Sequence, residues 1–186
     1  METFLLLLVL IPIAILRYYT TDHDTPADKD RQRFAEGIDL VTNRQYEEAL
    51  SYFSLMLQRY PKSAVAYLYR GRINYASGNY YSALYDLTQA ATLDNTLPEI
   101  YYHKGLTHQE LGESNAAFLE FDKAVWHSRS QDPHALRGRA LARWALGQQW
   151  QAIQDLERAV GLGDEDAAFT LHGLRPRVTA PRDRTN

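Results

Sequence analysis

Three pairs of opposite charge recur at one spacing in this chain: Arg70 with Asp86, Lys104 with Glu120, and Arg139 with Asp155, each sixteen residues apart. Basic and acidic side chains at a fixed interval can exchange a proton, recruit a ligand or neutralise each other. Three occurrences within one chain are read as ion pairs that bridge two helices of a repeating unit. Such a pair adds little net stability when exposed. Removing one partly buried member strands the other charge and costs more. These cations are therefore structural candidates first and ligand-binding candidates second. Little else in the chain has the spacing of a reactive site. His103 and His108 are five residues apart, which separates them by about 140° around a helix. His127 and His134 lie on either side of a turn, and His23 stands between Asp22 and Asp24 in a polar, solvated stretch. There is no HExxH, paired CxxC, P-loop, nucleophile elbow or dinucleotide-binding fingerprint. Cysteine is absent, which excludes disulfides, thiolate zinc sites, cysteine nucleophiles and lipid attachment through cysteine. The chain is read as non-enzymatic, with no cofactor and no metal.

The elements that position the charge pairs come from an internal repeat. With Gly71 at the eighth position of a 34-residue unit, the same position falls on Gly37, Gly105 and Ala140. The twentieth position reads Ala49, Ala83, Ala117 and Ala152, and the twenty-fourth reads Phe53, Leu87, Phe121 and Leu156. The twenty-seventh reads Met56, Ala90, Ala124 and Ala159, while Gly78, Gly112 and Gly147 mark a turn after the first helix of three copies. Small residues at fixed positions let two helix backbones approach, and the large apolar residue between them fills the gap. A period of this length in register is the signature of a stacked helical array.

These residues resemble the tetratricopeptide repeat family. The resemblance implies an all-α fold, an α-solenoid of four antiparallel helix pairs with a concave groove. The expected domain covers residues 30–173, with repeats 30–63, 64–97, 98–132 and 133–166 and a capping helix within 165–173. The first repeat departs from the others: Arg33 and Glu36 replace apolar and basic residues, and Tyr52 stands where the later copies carry an acid, which suits a capping unit with one face in water. Pro98 and Pro133 fall in first helical turns, where the missing donor costs nothing.

In this family the open concave face is lined from the first helix of each pair. On this chain that face is expected to carry Phe34 and Ile38, then Leu68, Arg72 and Tyr75, then Tyr102, Leu106 and Gln109, then Arg137, Leu141 and Trp144. Trp, Tyr and Arg are also the residue types that anchor interfaces. A groove for a peptide or helix segment of another protein follows. Chaperone-binding members grip a terminal carboxylate through lysines, asparagines and an arginine. The corresponding positions here hold Phe34, Ile38, Tyr69, Glu99 and His103, so chaperone C-terminal tails are not expected as partners. A net charge of -3 argues against nucleic acid, which requires a concentrated basic face. Eleven of the thirteen tyrosines lie between Tyr46 and Tyr102. Most are expected to pack within the repeats, with Tyr81 and Tyr85 on the convex surface.

The ends differ from the repeats. Phe4 to Leu16 is an apolar run of 13 residues, between a signal-peptide core and a spanning helix of about 17–25 residues. With Arg17, Tyr18 and Tyr19 as interfacial residues, residues 1–19 are read as a short N-terminal membrane helix. The basic residues follow the run, which places the repeats of a single-pass protein on the cytoplasmic or stromal side. A cleaved signal with a periplasmic or secreted domain is the alternative, and an N-terminal helix swapped into a neighbouring copy is a third. Residues 20–29 read as a linker and 174–186, with four arginines and two prolines, as a disordered basic tail. In layout the chain resembles membrane-anchored repeat proteins that help to assemble photosystem I. The expected function is a membrane-tethered scaffold, an assembly factor or accessory subunit of a membrane protein complex.

Overall fold

The computed structural model describes residues 10–13 and 24–174, all of whose regular structure is helical. After the helical residues 10–13, ten helices follow: α1 (Pro26–Arg33), α2 (Ala35–Thr42), α3 (Tyr46–Arg59), α4 (Ala64–Ala76), α5 (Tyr80–Leu93), α6 (Pro98–Glu110), α7 (Ser114–His127), α8 (Pro133–Ala145), α9 (Gln149–Gly161) and α10 (Glu165–Leu174). Consecutive helices pack as antiparallel pairs, α2 with α3, α4 with α5, α6 with α7 and α8 with α9, and α10 closes on α9.

Local chemistry sets the helix ends. Ser63 accepts the Ala66 amide at 3.1 Å, Asp132 accepts those of His134 and Ala135, and Asp164 accepts that of Ala167 at 2.9 Å. Each satisfies donors that the first helical turn leaves free. The turn inside each pair closes by one recurring bond. The amides of Gln45, Asn79, Glu113 and Gln148 reach back to the carbonyls of Leu40, Asn74, His108 and Arg143 at 2.8–2.9 Å. This closure requires a left-handed residue, supplied by Gly78, Gly112 and Gly147. In the first pair Arg44 takes that place with φ 59°, at a steric cost that glycine does not incur.

The packing follows the repeat positions. A Cβ added to Gly71 would lie 2.8 Å from Leu87, and one added to Gly105 would lie 2.7 Å from the Phe121 ring. Ala49, Ala83, Ala117 and Ala152, with Phe53, Leu87, Phe121 and Leu156, are fully buried. The first helices of successive pairs also touch one another, α2 with α4, α4 with α6 and α6 with α8, whereas the second helices make no comparable contact. The array therefore curves with α2, α4, α6 and α8 on the inner side.

Three expectations are corrected. Among the described residues no helix is long and apolar enough to cross a membrane. That finding overturns the single-pass membrane assignment, and with it the cytoplasmic or stromal placement that depended on it. The apolar run is described only at residues 10–13. The rest of the expected anchor or signal, most of the linker including His23, and the tail beyond Leu174 lie outside the described residues. Second, helical structure begins inside the expected linker, at Pro26. Thr25 and Asp28 form a reciprocal capping box, and Ala27 is buried. The proline at the first helical position favours the same start. Third, the first of the four expected helix pairs does not open on a single continuous helix. The chain turns at Phe34 (φ -102°, ψ 21°), whose ring is fully buried. The segment before the turn packs on α4, where Ser63 Oγ donates to Asp30 at 2.5 Å, and Arg31 reaches Glu99 of α6 at 3.1 Å.

Candidate functional site

The recurrent charge pairs are formed, and they do lie between the two helices of a pair. Arg70 donates twice to Asp86, at 2.8 and 2.6 Å, and Arg139 donates twice to Asp155, at 2.9 and 2.7 Å. Lys104 meets Glu120 at 3.1 Å with a single contact, as a point charge must. Asp86 and Asp155 are almost completely buried. Planar two-point pairing suits that environment because both carboxylate oxygens are satisfied. The structure adds partners that spacing alone did not single out. Asn74 donates to Asp86 at 3.0 Å and Arg143 to Asp155 at 2.6 Å. Both follow the paired arginine by four residues, one helical turn on the same face, so the signal was present at that interval. Arg139 also reaches Asp122 of α7 at 2.6 Å, which ties the fourth pair of helices to the third. Asp86 and Asp155 are each held by arginine at both oxygens, whereas Glu120 is held through one oxygen by Lys104 and Lys123 and its buried Oε2 has no partner. The clusters are joints.

The inner surface differs in character. Of the residues expected to line it, Phe34 and Leu68 are corrected: they are 0% and 2% exposed and belong to the core. Phe34 packs edge-on against Phe53 and Tyr60. Neither can touch a partner without opening the fold. Ile38, Arg72, Tyr75, Tyr102, Leu106, Arg137, Leu141 and Trp144 are half-buried, and Gln109 is exposed. Burial, with the nearby Glu110 carboxylate, pushes the Tyr75 phenol up to about 12. Burial also raises that of Tyr102. Both remain protonated donors at neutral pH.

The two arginines on this surface have different surroundings. Arg137 donates to Asp164 at 2.9 Å and meets Asp166 at 3.2 Å. Asp164 also caps α10, so the capping helix occupies one expected contact residue. Arg72 lies over the Tyr69 ring, 4.8 Å from its centre. The His103 imidazole stands near it. Burial first, and the Arg72 charge second, push that imidazole down to about 3, so it is neutral at physiological pH. Its Nδ1 is sealed from solvent without a partner. His103 stands at one of the positions where chaperone-binding members grip a carboxylate, but nothing in its spacing showed that it would lie buried beside Arg72. The convex side presents Tyr81 and Tyr85, 77% and 61% exposed, as expected from their places on the second helix of the pair. Among the described residues no group of His, Asp and Glu could hold a metal ion.

The arrangement defines a class: an array of helical hairpins with charged joints and an apolar, aromatic inner face. A family profile for the TPR repeat matches residues 71–112. Among curated proteins the chain is 28% identical over 103 residues to the human DnaJ homolog subfamily C member 7, covering 55% of this chain and 21% of that one. It is also 28% identical over 145 residues to the TPR repeat-containing protein MJ1428 of Methanocaldococcus jannaschii, covering 74% of this chain and 25% of the relative. The chain thus spans a quarter or less of the length of these relatives. Among solved structures, MamA from Desulfovibrio magneticus RS-1 superposes with a TM-score of 0.68 at 18% identity, over 84% of this chain and 87% of the other. The first TPR of Spaghetti (RPAP3), bound to the HSP90 peptide SRMEEVD, superposes with a TM-score of 0.59 at 22% identity, over 61% of this chain and 91% of that one. Residues 71–112 thus match the tetratricopeptide repeat profile, and the fold is the one shared with these solved repeat structures.

Proposed function

We propose that the chain is a non-enzymatic scaffold that holds a peptide or helix segment of another protein along its inner face. In this role it serves as an assembly factor or accessory subunit of a multiprotein complex. The observation that carries the reading is the half-exposure of Tyr75, Tyr102, Leu106, Leu141 and Trp144 on the inner helices of three successive pairs. A packing face would be sealed, and a solvated face would be polar. Aromatic and branched side chains held rigidly at intermediate exposure present desolvated area at little conformational cost, as protein-binding surfaces do. Proteins of the same fold bind peptides, as the RPAP3 domain with its HSP90 peptide illustrates. The set of residues that grips chaperone tails is absent from the corresponding positions here, so the reading is of a different protein segment.

Site-directed photocrosslinking in cells of the source organism tests this. A photoreactive residue replaces either exposed Gln109 on the inner face or exposed Tyr85 on the outer face, and both variants are checked for an unchanged melting temperature. The reading expects discrete protein adducts from position 109 that migrate with a larger assembly, and none from position 85. Adducts from position 85 with none from position 109 would overturn it.

A further inference from the structure

Among the described residues, half-buried arginines are almost never left without a counter-charge. Six described arginines are not fully exposed: Arg31, Arg70, Arg72, Arg137, Arg139 and Arg143. Five of them hold a carboxylate at 3.3 Å or closer. Arg72 forms no ion pair among the described residues; its contact is the face of Tyr69. A partly desolvated guanidinium without an anion is costly, and an incoming carboxylate offsets that cost. The position is also the middle of the inner face, between Tyr75 on its own helix and Tyr102 and Leu106 on the next.

We propose that Arg72 is a subsite for an acidic side chain, an Asp or Glu within the segment that the groove takes. This rests on the scaffold reading above and specifies the chemistry of that partner. The guanidinium lies over the Tyr69 ring, 4.8 Å from its centre, and a carboxylate is the planar acceptor that matches the N–H fork of arginine. His103 supports the assignment independently. It feels the charge of Arg72 and is kept neutral, chiefly by burial, so it does not compete with Arg72 for the anion. Its buried Nδ1 has no partner, an unsatisfied group of the kind that native folds retain beside sites of function. Half-buried Tyr75, Tyr102 and Leu106 lie on the same inner face, and a charged contact made among them is screened less than one in open water. The acid is an internal side chain rather than a chain terminus, because the groove continues past Arg72 in both directions, to Ile38 on one side and Leu141 and Trp144 on the other.

The test uses the full chain and a random twelve-residue peptide library fused at its C-terminus to a carrier, so that no peptide ends in a free carboxylate. Selection is run against the wild type, Arg72→Gln, Arg72→Glu and the groove variant Leu141→Glu with Trp144→Ala, each confirmed as folded by its melting curve. The proposal expects wild-type binders that share one acidic position. It expects at least about tenfold weaker binding to Arg72→Gln and a switch to Lys or Arg at that position with Arg72→Glu. Binders lost in the groove variant but indifferent to Arg72 would overturn the subsite while leaving the groove intact. Binders insensitive to every substitution, or none at all, would overturn both. If Arg72→Glu does not fold, Arg72→Lys serves in its place: a fork-specific carboxylate contact predicts intermediate affinity, and affinity equal to the wild type counts against it.

Discussion

The first pair of helices and the last solve the same packing problem with different chemistry. In the first, rings fill the joint. Tyr52 stands where later repeats carry an acid and packs edge-on against Phe53, while Phe53 stacks flat on Tyr69 at 5.4 Å and meets Phe34 at 6.2 Å. In the last, charges fill it, with Arg139 and Arg143 converging on buried Asp155. Aromatic contacts are broad and tolerate displacement, whereas a two-point ion pair is satisfied in one geometry only. The ionic joints therefore define the angle between helices, and the aromatic one allows the first pair to carry a turned helix with α1 reaching over to α4. The difference shows that the charge pairs are devices of geometry more than of net stability.

That contrast can be broken at either end. Phe53→Ala removes a fully buried ring shared by α2, α3 and α4, and should cost about 3–5 kcal/mol, read as a lowered urea midpoint. Asp155→Ala leaves two buried arginines facing each other and should cost roughly 3 kcal/mol. Adding Arg139→Met should recover part of that loss, and equal midpoints for single and double variants would show that the charges are solvated. Asp86→Ala should cost less, because Arg70 is more exposed than Arg139, with side-chain exposures of 24% and 11%. A smaller effect involves pH. The unfolded His103 takes up a proton near its ordinary value of 6.5, while the folded one resists until about 3. The unfolded state thus binds more protons across that window, and stability falls as pH falls. Between about pH 6.5 and 4.5 the wild type should lose melting temperature more steeply than His103→Gln, and parallel curves would refute it. The smallest change should be a gain: Arg44→Gly relieves the left-handed residue of the first turn and should add about 1 kcal/mol, an effect that the same replacement at exposed Arg59 would not produce.

Much of this architecture was legible before any coordinates. Gly71, Ala83, Leu87 and Ala90 could be assigned to packing because their counterparts recur in register, and the charge pairs could be assigned to the joint by the same logic. Helix starts at Pro98 and Pro133 were equally plain. The start at Pro26 was missed although Thr25 and Asp28 carry a capping box, because the polar stretch around them reads as linker when composition is weighed over spacing. The expected third repeat, 98–132, is one residue longer than the 34-residue unit. The consequence, consecutive left-handed Arg129 and Ser130, was not legible, since a length difference does not specify which residue absorbs it.

What the sequence determined alone is the unit and its period, because a stacked array repeats the same local packing problem and the solutions recur at countable positions. Tertiary structure alone decided which side chains of the inner face stay open. Phe34 and Leu68 occupy positions that face the groove in register, yet a neighbouring helix covers them. Arg137 is claimed by Asp164 and Asp166 from a capping helix well separated along the chain. Arg72 is left with a ring beneath it and a neutral histidine beside it. Exposure and pairing depend on what else arrives at a point in space, and residues distant in sequence decide that.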